Sequence, residues 1–168
     1  MAEHSIEKLL ELLNTRFPQE ISAITAPYEL LTFECSALKV HDIIAVLKED
    51  VETEFGFLTD LCGIHYPEKK GFELGVIYHL HNLQTNFRIR IKVFLPIDKP
   101  EIPTITDLFL GANWMERETY DFYGIIFTGH PDLRRILNVD DMVAFPMRRE
   151  HPLEDPNRKD KKDEYFGR

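Results

Sequence analysis

The sequence predicts an α+β fold: an antiparallel sheet covered on one face by two helices, followed by an extended C-terminal arm with one short helix. Three observations point to it. Apolar residues recur at helical spacing in two short N-terminal stretches, alternate with a period of two between Gly56 and Leu95, and lose regular spacing beyond Gly124. Of the 168 residues, 43% are hydrophobic, enough for one sizeable core.

Ile6, Leu9, Leu10 and Leu13 stand at i, i+3, i+4 and i+7, with Ser5 placed to cap, so a short amphipathic helix should end near Asn14. Residues 20–27 and 28–35 are rich in β-formers and separated by Pro27, which predicts two strands or one interrupted strand. Val40, Ile43, Ile44 and Leu47 repeat the helical pattern and mark helix two. The run "GFLTDLCGIHY" then reads as a strand bounded by the charged turn "PEKKG", and Phe72, Leu74, Val76, Tyr78 and Leu80 alternate along the next. After the polar loop "HNLQTN", Phe87, Ile89, Ile91, Val93 and Leu95 oppose Arg88, Arg90 and Lys92. One face of that strand is apolar and the other basic, which implies a sheet covered on one side only.

A core domain should therefore span 1–95. Residues 96–123 form a proline-rich connector and a helix, and residues 124–168 an extended arm with a polar tail. "PIDKPEIPTI" places three prolines in ten residues, which breaks a strand ladder. Thr106 to Leu110 could form one helical turn. Asn113 can cap a helix running to Tyr123, with Gly124 as its left-handed C-terminal residue. Prolines 131, 146, 152 and 156 leave the arm without periodicity, so it should either stay mobile or lie along something else.

Composition narrows the function. A balance of 20 Lys+Arg against 29 Asp+Glu gives a formal charge of -9, which repels a phosphate backbone and argues against nucleic acid as a partner. No run of about 18 apolar residues is present to insert in a bilayer, and "MAEHSIEKLLELLN" is too charged for a secretory signal, so a cytoplasmic chain, soluble by itself, is expected. Cys35 and Cys62 stand far apart with no ligand set around them. They read as buried thiols, and two cysteines cannot supply a four-cysteine iron–sulfur site.

The stretch Asn113–Leu137 concentrates the candidate chemistry. Trp114, Glu118 and Asp121 share a helix face, and Arg117 and Asp121 are an i, i+4 pair. One reading makes Glu118 and Asp121 an acid and base with His130 as proton shuttle, as in a free-standing enzyme. No Glu-x-x-His or His-x-x-x-His spacing supports a metal site. A second reading follows from Arg117, Arg134, Arg135, Arg148 and Arg149, interleaved with carboxylates and with Trp114, Tyr120, Phe122, Tyr123 and Phe127: arginine forks and aromatic anchors suit a protein interface. A third takes the stretch as an internally packed turn clipped by ion pairs.

Glu116-Arg117-Glu118, two residues, Asp121, two aromatics, six residues, His130, three residues, Arg134, one residue and Ile136-Leu137 resemble the signature of the C-subunit (30 kDa-type) family of proton-pumping NADH:quinone oxidoreductase, respiratory complex I. Pro146, Arg148 and Arg149 keep the family's later pattern, whereas Met142 stands in place of its usual Trp and Phe145 in place of its His. The order of elements is similar too, so the resemblance covers essentially the whole chain.

The resemblance implies a structural subunit with no catalytic, cofactor-binding or metal-binding residues of its own, in a complex that passes electrons from NADH to quinone and translocates protons. FMN and iron–sulfur clusters are then expected in partner subunits. It implies packing against the D and B subunits of complex I with the I subunit nearby, on the cytoplasmic side of the inner membrane, and the separate rather than the fused C–D form. Signature residues Trp114, Glu116, Arg117, Glu118, Asp121, His130, Arg134, Arg135, Arg148 and Arg149 become interface candidates. Related subunits of membrane-bound hydrogenase-type complexes share this signature and remain an alternative.

Overall fold

The computed structural model describes residues 2–151, with side chains from residue 6 onward; the expected polar tail from Pro152 lies outside them. The elements run α1 (Ala2–Arg16), β1 (Ile21–Thr25), β2 (Leu31–Cys35), α2 (Val40–Glu49), β3 (Phe57–His65), β4 (Leu74–Asn82), β5 (Phe87–Leu95), β6 (Glu101–Pro103), α3 (Ala112–Tyr123) and β7 (Ile126–Thr128). Helix α1 starts before Ser5, which falls inside it rather than at a cap. Pro27 does separate two strands, through a single 3-10 turn over Pro27–Glu29.

The five-stranded sheet has the order β1-β2-β5-β4-β3. Three of its pairs are antiparallel, and β2 runs parallel to β5. The parallel pair is a consequence of topology. Helix α2 carries the chain across the sheet to its far edge, and the β3–β4–β5 meander reverses twice before closing on β2. Alternation alone cannot reveal this, because side-chain period is the same in either pairing.

Val40, Ile43, Ile44 and Leu47 of α2 are fully buried, as are Phe33, Val76, Tyr78, Leu80, Ile89 and Ile91 of the facing strands. Leu9 and Leu13 of α1 join the same cluster. The two expected helices thus cover the apolar face, and α3 joins them at the β3 edge. Gly63, paired with Val76 on the core side, permits that approach, since a Cβ there would collide with the Tyr123 ring. The opposite face stays open. Its rows are Asp60–His79–Arg90 and Cys62–Ile77–Lys92, all half-buried or exposed.

The connector is more ordered than its prolines suggest. β6 pairs in parallel with β7, and Ile102 and Phe127 are buried at the centre of that ladder. Ile105, Phe109, Ala112 and Ile125 extend the core cluster past Leu95. Thr106–Leu110 holds a single turn, closed by the Phe109 N–H to the Ile105 carbonyl at 2.9 Å, and not a longer helix.

Candidate functional site

Helix α3 builds the site, and its N-terminus differs from expectation. Gly111 occupies the cap position without a side-chain hydrogen bond, while Asn113 lies inside the first turn. At the other end Gly124 adopts the left-handed conformation (φ 73°) and its N–H donates to the Tyr120 carbonyl, as its position implied.

Asp121 is the centre of the arrangement. Its side chain is fully buried, and its Oδ1 accepts from Arg135 Nη1 at 2.7 Å and from Asn138 Nδ2 at 3.0 Å. Its Oδ2 takes the consecutive backbone N–H groups of Ile136, Leu137 and Asn138 at 3.1, 2.8 and 2.9 Å. Three successive amides around one oxygen form an anion nest. Burial pushes this carboxyl up, but the N–H groups of Asn138 and Leu137 and the Arg135 guanidinium outweigh it and hold the group well below the ordinary carboxylate range.

The i, i+4 pair of Arg117 with Asp121 does not form; Arg135 takes the carboxylate. Arg117 donates Nε to the Arg134 carbonyl and Nη2 to the Arg135 carbonyl, both at 3.2 Å, and its guanidinium lies 5.2 Å from the Trp114 ring centroid. The same segment is therefore held twice, through its amides by Asp121 and through its carbonyls by Arg117. Arg135 also donates to the carbonyls of Asp121, Met142 and Ala144, which ties residues 142–144 to the helix end.

The Phe145 ring centroid sits 5.3 Å from the Arg135 guanidinium and 4.7 Å from that of Arg148. Arg148 in turn donates Nε to the Tyr123 carbonyl at 2.8 Å. The backbone N–H of Arg149 reaches His65 Nδ1 at 3.0 Å, while its side chain only approaches Glu68 across exposed surface. The arm thus lies on its own chain rather than on nothing. Of the two expectations, a mobile arm or one lying along something else, the second holds, with charge-assisted hydrogen bonds to α3 and a hydrogen bond to β3 supplying the order.

Glu116 is fully buried and locks the other side of the helix. It accepts from Thr104 Oγ1 and from the Ile105 N–H at 2.8 Å, fixing the end of the connector. Burial pushes its carboxyl up to about 7 against these hydrogen bonds. His130 bonds the Asn113 carbonyl through Nε2 at 3.2 Å and accepts the Asp132 N–H at Nδ1 at 3.0 Å, so the ring fastens the arm to the first turn of α3.

Glu118 and Trp114 are exposed, and Arg134 makes only a surface pair with Asp132 at 2.9 Å. Of the supposed acid–base set, Asp121 is saturated by donors. Asn113, to which His130 binds, lies eight residues away from Asp121, about 12 Å along a helix axis, and Glu118 points to solvent. The helix does not bring the three together. Sequence reasoning also missed the roles of Thr104, Arg135, Asn138 and His65, whose partners lie 12, 14, 17 and 84 positions away. No local periodicity encodes such contacts.

The arm also presents Leu137, Val139, Val143 and Met147 to solvent, between 54% and 96% exposed; Leu110, at 89%, and Trp114, at 61%, are exposed as well. Held backbone with outward apolar side chains is what an interface offers.

The family model described as the 30 kDa subunit of respiratory-chain NADH dehydrogenase matches residues 33–157. The chain is 41% identical to a second-type C subunit of NADH-quinone oxidoreductase from Rhizobium etli, with 82% of this chain and 73% of that protein covered. It is 32% identical to the C subunit of NADH-quinone oxidoreductase from Coxiella burnetii, covering 88% and 78%. Among solved structures it is similar to a trypsin-resistant fragment of Nqo5, with TM-score 0.65, 30% identity, and 77% of this chain and 99% of that one covered. It shares its fold with a chain of the archaeal membrane-bound sulfane sulfur reductase, at TM-score 0.74 and 23% identity over 88% and 85% of the two chains.

Proposed function

The chain belongs to the 30 kDa subunit family of respiratory-chain NADH dehydrogenase, the family of the C subunits of NADH-quinone oxidoreductase, and from that premise we propose that it works as a scaffold without redox chemistry of its own. In this reading it lies on the cytoplasmic side of the inner membrane, packs against the D and B subunits with the I subunit nearby, and leaves FMN and iron–sulfur clusters to its partners.

The observation that carries the proposal is the Asp121 clasp. A buried carboxylate with five donors has no lone pair left for a substrate proton, but it fixes the backbone of residues 135–138 and so the direction of Leu137, Val139 and Val143. Such a device presents a surface; it does not turn over a substrate. The thiols agree in character: burial pushes Cys35 up to about 12, far from the thiolate a metal cluster would need. No helix among the described residues is long and apolar enough to cross a membrane, so attachment would come through partner chains.

Purification of a tagged chain from its own cells tests this. The chain should come out with NADH-oxidising, quinone-reducing activity and with D-, B- and I-type subunits, whereas the chain expressed alone should be colourless and yield no flavin. Stoichiometric flavin or iron surviving dialysis of the lone chain sinks the scaffold reading. Co-purification with a nickel-site large subunit would place it in a hydrogenase-type complex instead.

A further inference from the structure

The clasp leaves unexplained the other side of the molecule, where the sheet has no covering layer. Strand β5 lies inside the sheet, hydrogen-bonded to β2 on one side and β4 on the other. It directs Arg88, Arg90 and Lys92 to the open face at alternate positions, about 7 Å apart along the strand. In a chain with 29 carboxylates to 20 basic residues, these three cations form no salt bridge among the described residues, although carboxylates stand on the same face. Glu34 is taken by Lys69 at 3.8 Å. Asp60 lies 3.7 Å from His79 Nδ1, too far for a hydrogen bond.

The row is wired but incomplete. Arg90 donates Nε to His79 Nε2 at 2.9 Å, which makes His79 a neutral ring whose proton sits on Nδ1. That Nδ1 is buried and has no hydrogen-bond partner among the described residues. Burial and the Arg90 charge both hold the His79 ring below its usual pKa, in keeping with the neutral form. Half-buried Ile77, Cys62 and Phe94, with Phe57 at 46% exposure, stand on the same face by register.

We infer that this open sheet face docks an acidic, partly apolar segment of another protein of the same complex. The occupant must be acidic. An apolar partner would seal Arg90 and Lys92, already half-buried, away from water without a counter-charge, and that desolvation opposes binding. Polyanions are disfavoured by the overall charge of -9, since long-range repulsion would outweigh three local cations. Central strands also supply a rigid surface, so little ordering cost accompanies docking. The inference rests on the proposed membership of a multi-protein assembly, and it adds a contact region on the sheet to the one on the arm.

Zero-length amine-to-carboxylate cross-linking of the intact complex, read by mass spectrometry, tests it directly. Lys92 should be joined to an Asp or Glu of a different protein of the complex. In parallel, Arg88→Glu with Lys92→Glu should reduce incorporation of the chain into the complex at least tenfold, while the charge-conserving Arg88→Lys with Lys92→Arg incorporates normally. The circular dichroism and melting midpoint of the lone variants should match those of the parent. Lys92 found free, or linked only to a second copy of this chain, overturns the inference, as does normal incorporation of the double-Glu variant or loss of its fold as the cause of failure. Protection of Lys92 by anionic vesicles but not by the complex would assign the face to a membrane and equally overturn it. If no NADH:quinone oxidoreductase complex contains the chain, the proposed function fails first, which the purification above reports separately.

Discussion

A buried carboxylate can serve as a reagent or as a fastener, and the number of its donors decides which. Asp121 has five, with no lone pair to spare, and Arg135 has no other carboxylate partner among the described residues. Asp121→Asn keeps the shape but leaves Arg135 buried and unpaired, which should cost about 3–5 kcal/mol in urea unfolding. Because its folded pKa lies below the unfolded one, its stabilisation is present above about pH 4 and is lost as pH falls further. Glu116 behaves oppositely. Its folded pKa is raised to about 7 by burial, so the fold favours the protonated acid, and that contribution is lost as pH rises from about 4.5 through 7. Glu116→Gln should therefore flatten the stability profile and exceed the parent at pH 8 by roughly 1–3 kcal/mol. Urea midpoints at pH 5.5 and pH 8 check this; equal pH dependence in both proteins would show that Glu116 does not titrate there.

At the scale of elements, glycines permit two close approaches around α3, Gly63 under the Tyr123 ring and Gly124 at the helix end. A Cβ on Gly124 would meet the Phe145 ring at 2.5 Å and Arg148 Nη2 at 2.8 Å, in a backbone conformation that side chains disfavour. Gly124→Ala should thus cost on the order of 1–3 kcal/mol and loosen the arm at Phe145. The loosening is measurable with trypsin. In the parent chain Arg117 lies within α3, and the Arg135 carbonyl and the next N–H are both hydrogen-bonded, so cleavage at either should be slow compared with cleavage after exposed Arg149. Asp121→Asn, which releases the amides of Ile136, Leu137 and Asn138, should be cut rapidly after Arg134 or Arg135. Unchanged resistance of that variant would mean that the arm is held by Phe145 and Arg148 rather than by the clasp.

In the whole molecule, α1 and α2 cover one face of a mixed sheet, α3 and the arm pack at its β3 edge, and a cationic face stays open on the other side. Periodicity alone determined the existence and type of α1, α2, β3, β4 and β5, since burying one face of a helix or strand must repeat every 3.6 or 2 residues. It also determined that one sheet face would be apolar and one basic. The signature in α3 and the arm disclosed the family, because fixed spacing survives in sequence even where its purpose does not. Tertiary structure alone decided that β2 and β5 run parallel, that β6 finds β7 despite its proline, that Arg135 rather than Arg117 holds Asp121, and that Glu116 is buried. Each of these depends on where the chain returns after a turn of unknown geometry. Local propensity fixes what a segment is, whereas a contact between residues 14 or 84 positions apart is set only when the whole core has packed and every buried polar group must find its partner.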